Sequence, residues 1–142
     1  VEFLGYRSGE ALHSLICGAR AVVLPSEWYE NAPMSVLEAF ASGKPVIGAR
    51  IGGIPEMVHP DKTGALFESG NTEELADLLR GYADMPDDEI SRMGEAARRY
   101  VVETFSAERY LRDTLALYAD LGVRVGNNAS VASQVSGGAD QA

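Results

Sequence analysis

Short apolar runs that alternate with helix-period segments constrain this chain more than any other feature. Ala21-Val22-Val23-Leu24 is apolar at consecutive positions and stops at Pro25, and Pro45-Val46-Ile47-Gly48 repeats the pattern. Val1-Glu2-Phe3-Leu4, ended by Gly5, and Ala65-Leu66-Phe67 read as two further short strands. A strand that is apolar at consecutive rather than alternate positions is buried on both faces, which is the mark of a parallel sheet covered by helices. The intervening segments supply those helices. Glu10 to Gly18 carries Leu12, Leu15 and Ile16 at helical spacing behind Ser8, a candidate N-cap. Ser35 to Ser42 carries Val36, Leu37 and Phe40 and is closed by Gly43, with Pro45 just beyond. After Gly52-Gly53 comes a short helical or irregular piece through Met57.

From Thr72 the period becomes wholly helical. Leu75, Leu78, Leu79 and Tyr82 form one stripe, capped by Asn71 or Thr72. Glu89 to Glu103 makes a second helix. Ser106 to Leu121 makes a third, with Tyr110, Leu111, Leu115 and Tyr118 on one side. Strands alternating with helices define an α/β fold with right-handed crossovers. Residues 122–142 are rich in Ser, Gly, Ala, Asn and Gln and read as a disordered tail, which leaves residues 1–121 as the folded part.

Charge and composition exclude several functions. The 142 residues carry a net charge of -9, and residues 67–95 hold nine acids against two bases, a solvated helical face. An acidic balance of this kind argues against nucleic acid or an anionic membrane as a partner of the surface as a whole. No apolar run reaches the roughly 20 residues of a membrane-spanning helix. Cys17 is the single cysteine, so an internal disulfide and a Cys-rich zinc site are excluded. It fits a reducing, cytoplasmic setting and reads as a small core residue beside Ile16. His13 on a polar helix face and His59 beside Pro60-Asp61 have no second ligand at metal spacing, and both read as solvated. Ser26 and Ser35 lack a nearby His, so no Ser–His–Asp arrangement is legible.

The chemistry concentrates in Pro25 to Phe40, where a strand ends, a polar loop follows and a helix begins. Ligands of parallel sheets sit at the carboxyl ends of strands. Unpartnered amides at the helix start, around Ser35 and Val36, suit a phosphate, although every such sheet has connections of this kind. Glu30 in the loop and Glu38 one turn into the helix are two carboxylates, each able to accept a pair of hydroxyl hydrogen bonds in the fork that a ribose diol presents. Ordinary surface glutamates would look the same. Trp28 and Tyr29 stack on a sugar, line a cleft between domains, or pack over the loop; Gly52-Gly53 either permits close backbone approach, with Glu56 facing the cleft, or forms a plain turn.

Pro25-Ser26 through Glu38-Ala39, then Gly43-Lys44-Pro45-Val46-Ile47, Gly52-Gly53-Ile54-Pro55-Glu56 and Thr63-Gly64, stand in the order and spacing of one known domain. Across residues 1–121 the chain resembles the donor-binding domain of family 4 glycosyltransferases, retaining enzymes of the GT-B fold. The resemblance implies a partial Rossmann-like domain: a parallel sheet of about four strands flanked by helices, with a C-terminal helical stretch. It also implies that Glu30 contacts the transferred sugar as the catalytic residue and that Glu38 grips the nucleotide ribose. The amides near Met34, Ser35 and Val36 would meet the diphosphate, Asn31 would border the donor, and Tyr6 and Arg7 would lie near the nucleobase. Many members place Phe-Gly after the first glutamate, where this chain has Asn31-Ala32-Pro33-Met34. That variant looks like the subgroup acting in cell-surface polysaccharide assembly.

The same resemblance implies what the chain lacks. The family's diphosphate-neutralising Arg and Lys belong to a Gly-rich segment upstream, and between Ala21 and Gly43 this chain has neither residue. Lys44 and Arg50 lie nearby but read as solvated. The expectation is therefore the later part of a transferase, inactive without an N-terminal acceptor domain. Its partner would be a nucleotide sugar, which is a substrate, with no cofactor and no metal. Any peripheral membrane contact would run through the absent domain. Two other readings share these motifs: a non-catalytic binding or scaffold module, and a GT-B-fold epimerase or phosphorylase.

Overall fold

The computed structural model describes residues 1–122, so the expected tail falls outside the described residues except for its first position. Three strands form the sheet: β1 (Val22–Leu24), β2 (Val46–Ala49) and β3 (Gly64–Phe67). They run parallel in the order β1-β2-β3, with Val22 opposite Val46 and Ile47 opposite Ala65. Helices follow in alternation: α1 (Gly9–Gly18), α2 (Met34–Ala41) and the one-turn α3 (Ile54–Met57), then α4 (Thr72–Asp84), α5 (Asp87–Thr104) and α6 (Ala107–Asp120). The chain divides into two units, Val1–Ser106 and the part from Ala107 onward. In the second unit Arg109 and Asp113 pair across one turn of α6 at 3.4 Å.

The sheet has three strands, not four. Val1–Leu4 pairs with no described strand and is exposed, because apolar residues cannot hold an extended backbone without a neighbour to take its hydrogen bonds. Strand β2, flanked on both sides, is buried at all four positions, whereas β1 pairs only with β2 and is half-buried throughout. That corrects the expectation that β1 is buried on both faces. The apolar face of α1 is corrected as well: Leu12 and Leu15 are exposed and no residue of the helix is buried. Ser8 holds the N-cap position without a side-chain hydrogen bond. Cys17 is exposed rather than in the core, its Sγ 3.4 Å from Nε2 of His13. His59 is half-buried, its ring edge-to-face with Tyr100 at 4.8 Å, and so is not freely solvated.

The core lies on both faces of the sheet. Alternation along β2 sends Val46 to one side, where it joins Val36, Phe40, Ile54, Ala97 and Val101, and Ile47 to the other with Phe67, Tyr82 and Met93. Helix α2 and the residues that close it meet α5 at backbone contact distance. A Cβ on Gly94 would overlap the Gly43 carbonyl oxygen and stand 2.9 Å from its carbon, so the two backbones touch only because Gly94 has no side chain. Arg20, just before β1, donates to the carbonyls of Tyr82 (3.2 Å) and Met85 (2.5 Å) and pairs with Asp87, tying down the α4–α5 connection.

Candidate functional site

The loops after β1, β2 and β3 meet at the carboxyl edge of the sheet. Ser69, following β3, donates its hydroxyl to the Ser26 carbonyl at 3.0 Å, and the Arg50 amide donates to the Phe67 carbonyl at 2.7 Å. Gly53, following β2, donates its N–H to the Glu30 carbonyl at 2.7 Å. This last contact is close enough that side chains are excluded. A Cβ on Gly52 would overlap the Glu30 carbonyl oxygen and lie 2.8 Å from its nitrogen, and one on Gly53 would overlap the Asn31 oxygen, 2.9 Å from its carbon. Of the two sequence readings for Gly52-Gly53, close backbone approach is the one observed.

The chain then enters α2 in an unusual electrostatic state. Pro33 occupies the N-cap and forms no side-chain cap, and the first turn holds no acid. Every other described helix carries at least one acid there, among them Glu73 and Glu74 in α4 and Asp87, Asp88 and Glu89 in α5. Helix α4 is also closed by its own cap, since Asn71 accepts from the Glu74 amide at 3.1 Å. The positive end of α2 is thus left uncompensated where a parallel sheet binds its ligands.

Each expected site residue can be placed on this frame. Glu30 sits in the loop, half-buried, and Glu38 projects from the second turn of α2, exposed. Neither carboxylate has a hydrogen bond or ion pair with a described residue. Met34 and Ser35 open the helix and are exposed, and their amides have no carbonyl four residues back inside it. Val36 differs: its N–H already donates to the Pro33 carbonyl at 3.0 Å, and its side chain, 1% exposed, belongs to the core. Two of the three expected amides are therefore open. Asn31 is exposed beside Glu30, and Trp28 and Tyr29 are 80% and 87% exposed, so the aromatic pair does not pack over the loop.

Tyr6 and Arg7 are not joined to Pro25–Phe40 by any hydrogen bond or ring contact among the described residues; the Arg7 guanidinium donates to the Tyr6 carbonyl at 3.3 Å. Neither nearby cation contacts the α2 amino end among the described residues. Arg50 pairs with Glu68 at 2.8 Å, and Lys44 follows the carboxyl end of α2, its amide bonded to the Ala39 carbonyl at 2.9 Å. Glu56 lies within the single turn of α3 and is exposed, its N–H donating to the Gly53 carbonyl at 3.1 Å. Among the described residues no group of three or more His, Cys, Asp or Glu side chains is arranged to hold a metal ion. No helix there is long and apolar enough to cross a membrane.

Comparison with known proteins gives this geometry a lineage. The family model described as "Glycosyl transferases group 1" matches residues 1–100. The MMP alpha-(1->4)-mannosyltransferase of Mycolicibacterium hassiacum is 35% identical over 119 residues, covering 83% of this chain and 28% of that protein. The N-acetyl-alpha-D-glucosaminyl L-malate synthase of Bacillus anthracis is 38% identical over 122 residues, covering 85% of this chain and 31% of that protein. Among solved structures, sucrose-phosphate synthase from Thermosynechococcus elongatus superposes with a TM-score of 0.71 at 30% identity, over 84% of this chain and 30% of that one. Anabaena HepE in complex with UDP superposes with a TM-score of 0.69 at 25% identity, over 81% and 32%. The chain thus spans a little under one third of each of these relatives. By the extent of the family match and by identity to curated members, the chain belongs to the group 1 glycosyl transferases.

Proposed function

We propose that this chain binds the nucleotide-diphosphate sugar donor of a family 4, GT-B, retaining glycosyltransferase. The observation that carries the reading is the amino end of α2: uncapped, free of acids, and bracketed by Glu30 and Glu38. A diphosphate there accepts from the Met34 and Ser35 amides, and Glu38 takes the ribose hydroxyls in a carboxylate fork. Glu30 then faces the sugar beyond the phosphates, with Asn31 at its side. The HepE complex with UDP, a related fold, supports a uridine nucleotide as the first ligand to test.

In the reaction the bond from the anomeric carbon to the diphosphate oxygen breaks, and a bond to an acceptor oxygen forms as that hydroxyl passes its proton to the departing diphosphate. Charge builds up on the leaving diphosphate. Preorganised donors aimed at it are the main device this chain can offer. A helix end contributes only about 0.3–1 kcal/mol when exposed, so cations from outside this chain complete the site. The acceptor belongs to a further domain of the transferase, and the chain by itself is inactive. The reading requires no metal or cofactor, and a cytoplasmic, membrane-peripheral enzyme of polysaccharide or lipid-linked glycan assembly fits it. Tyr6 and Arg7 remain the candidates for the nucleobase.

Titration of the full gene product with UDP and nucleoside-diphosphate sugars tests the assignment. Glu38→Ala removes a charged hydrogen-bond acceptor worth about 1.5–3 kcal/mol, so donor affinity falls roughly 10- to 100-fold. Unchanged affinity in that variant refutes the ribose contact.

A further inference from the structure

We propose that Gly52 and Gly53 are positioning residues for Glu30, required because their missing side chains let the turn after β2 clamp the backbone that carries this carboxylate. The inference rests on the reading of Glu30 given above. The Glu30 carboxylate has no partner among the described residues, so its direction follows from its own backbone and whatever restrains it. Two restraints are visible. One is local, the Glu30 N–H donating to the Trp28 carbonyl at 2.9 Å; the other is the Gly53 N–H on the Glu30 carbonyl at 2.7 Å. Trp28 and Tyr29 add little packing, being exposed.

The clamp is itself anchored in the core. Ile54, fully buried, follows Gly53 directly and fills the space where a side chain on Gly48 would sit, its Cγ2 2.7 Å from that Cβ position. Gly48 ends the β1–β2 pairing opposite Leu24. The line of contact therefore runs from the central strand through Ile54 to the Gly53 amide and on to Glu30.

Turn-making explains only half of this pair. Gly52 has φ +56, a left-handed conformation that favours glycine. Gly53 has φ -83 and ψ -2, which any residue adopts. Glycine at position 53 is accounted for by the Asn31 carbonyl pressed against it. A displacement of about 1 Å in a reacting group lowers turnover by as much as 100-fold, so a fixed Glu30 backbone matters to the chemistry.

The test compares Gly53→Ala, Glu30→Gln and the double variant in the full gene product, measuring turnover, UDP affinity and melting temperature. Gly53→Ala is expected to lower kcat at least tenfold while the Kd for UDP changes less than twofold. The double variant should be no slower than Glu30→Gln, because both changes act through one carboxylate. Gly94→Ala, a clash of similar severity between α2 and α5, is the structural control: its melting temperature falls while kcat per folded molecule holds. If Gly53→Ala does not fold, Gly52→Ala, whose overlap is milder, takes its place in the cycle. Multiplicative losses in the double variant, equal loss of UDP affinity, or unfolding of both glycine variants overturns the positioning role. Full turnover by Glu30→Gln overturns the reading of Glu30 instead.

Discussion

Helices α1 and α2 receive similar instructions from the sequence and meet different ends. Each is about two to three turns long with an apolar stripe: Leu12, Leu15 and Ile16 in α1, Val36, Leu37 and Phe40 in α2. Helix α2 buries Val36, Ala39 and Phe40, while α1 buries nothing. The difference lies in what each can press against. Helix α2 has the central strand β2 on one side and α5 on another, brought within backbone contact by Gly43 and Gly94. Helix α1 follows Val1–Leu4 in sequence, a segment that joins no described strand pairing, and belongs to neither core cluster. A stripe states where a helix can be buried; only a partner surface makes the burial happen.

Substitutions can break or sharpen that contrast. Phe40→Ala, at a site with no exposure, should cost about 3–5 kcal/mol in urea unfolding, the largest effect of the set. Gly94→Ala should cost about 1–3 kcal/mol, because the added methyl has only backbone to displace. Asn71→Ala removes the α4 cap and should cost about 1 kcal/mol. Leu12→Ala should stay within about 0.5 kcal/mol, the smallest effect. A loss at Leu12 comparable to that at Phe40 would show that α1 is buried after all.

Tyr82 adds a pH dependence to the packed region. Its hydroxyl is buried without a hydrogen-bond partner among the described residues, and burial, reinforced by the Asp61 and Glu89 carboxylates, pushes its pKa from 10.0 up to about 12. A raised pKa means the folded state holds the proton more tightly than the unfolded one. Tyr82 therefore contributes stability in full below pH 10, and that contribution is lost as pH rises toward about 12. Tyr82→Phe should abolish this alkaline loss and leave stability at neutral pH equal or higher, since it removes an unsatisfied group. Alkaline unfolding profiles of the two proteins supply the check.

Much of the fold was legible because its signals are local. Consecutive apolar residues ended by Pro25 mark β1, and Asn71 ahead of the Leu75–Tyr82 stripe marks the start of α4. The extra strand at Val1–Leu4 was misread because composition suggests a strand but pairing decides it. Cys17 was misread for a similar reason, its neighbour Ile16 implying a core that α1 does not reach. The candidate site residues Glu30 and Glu38 draw attention by spacing and company. The α2 amides were expected as a set of three, and Pro33 takes one of them through Val36. Arg20 left no signal at all: its partners lie 62 to 67 positions away, beyond any spacing rule. Close backbone approach is only one of two readings of the Gly-Gly turn, and Glu30 as its partner is not legible, because sequence does not show which backbone lies opposite.

Hydrogen–deuterium exchange of the full gene product, with and without UDP, tests most directly whether the carboxyl edge of the sheet is the donor site. Slowed exchange is expected in peptides spanning Trp28–Glu38 and Arg50–Glu56, with α4 and α5 unchanged. Protection confined to α4 or α5, with Met34 and Ser35 exchanging as before, would contradict it.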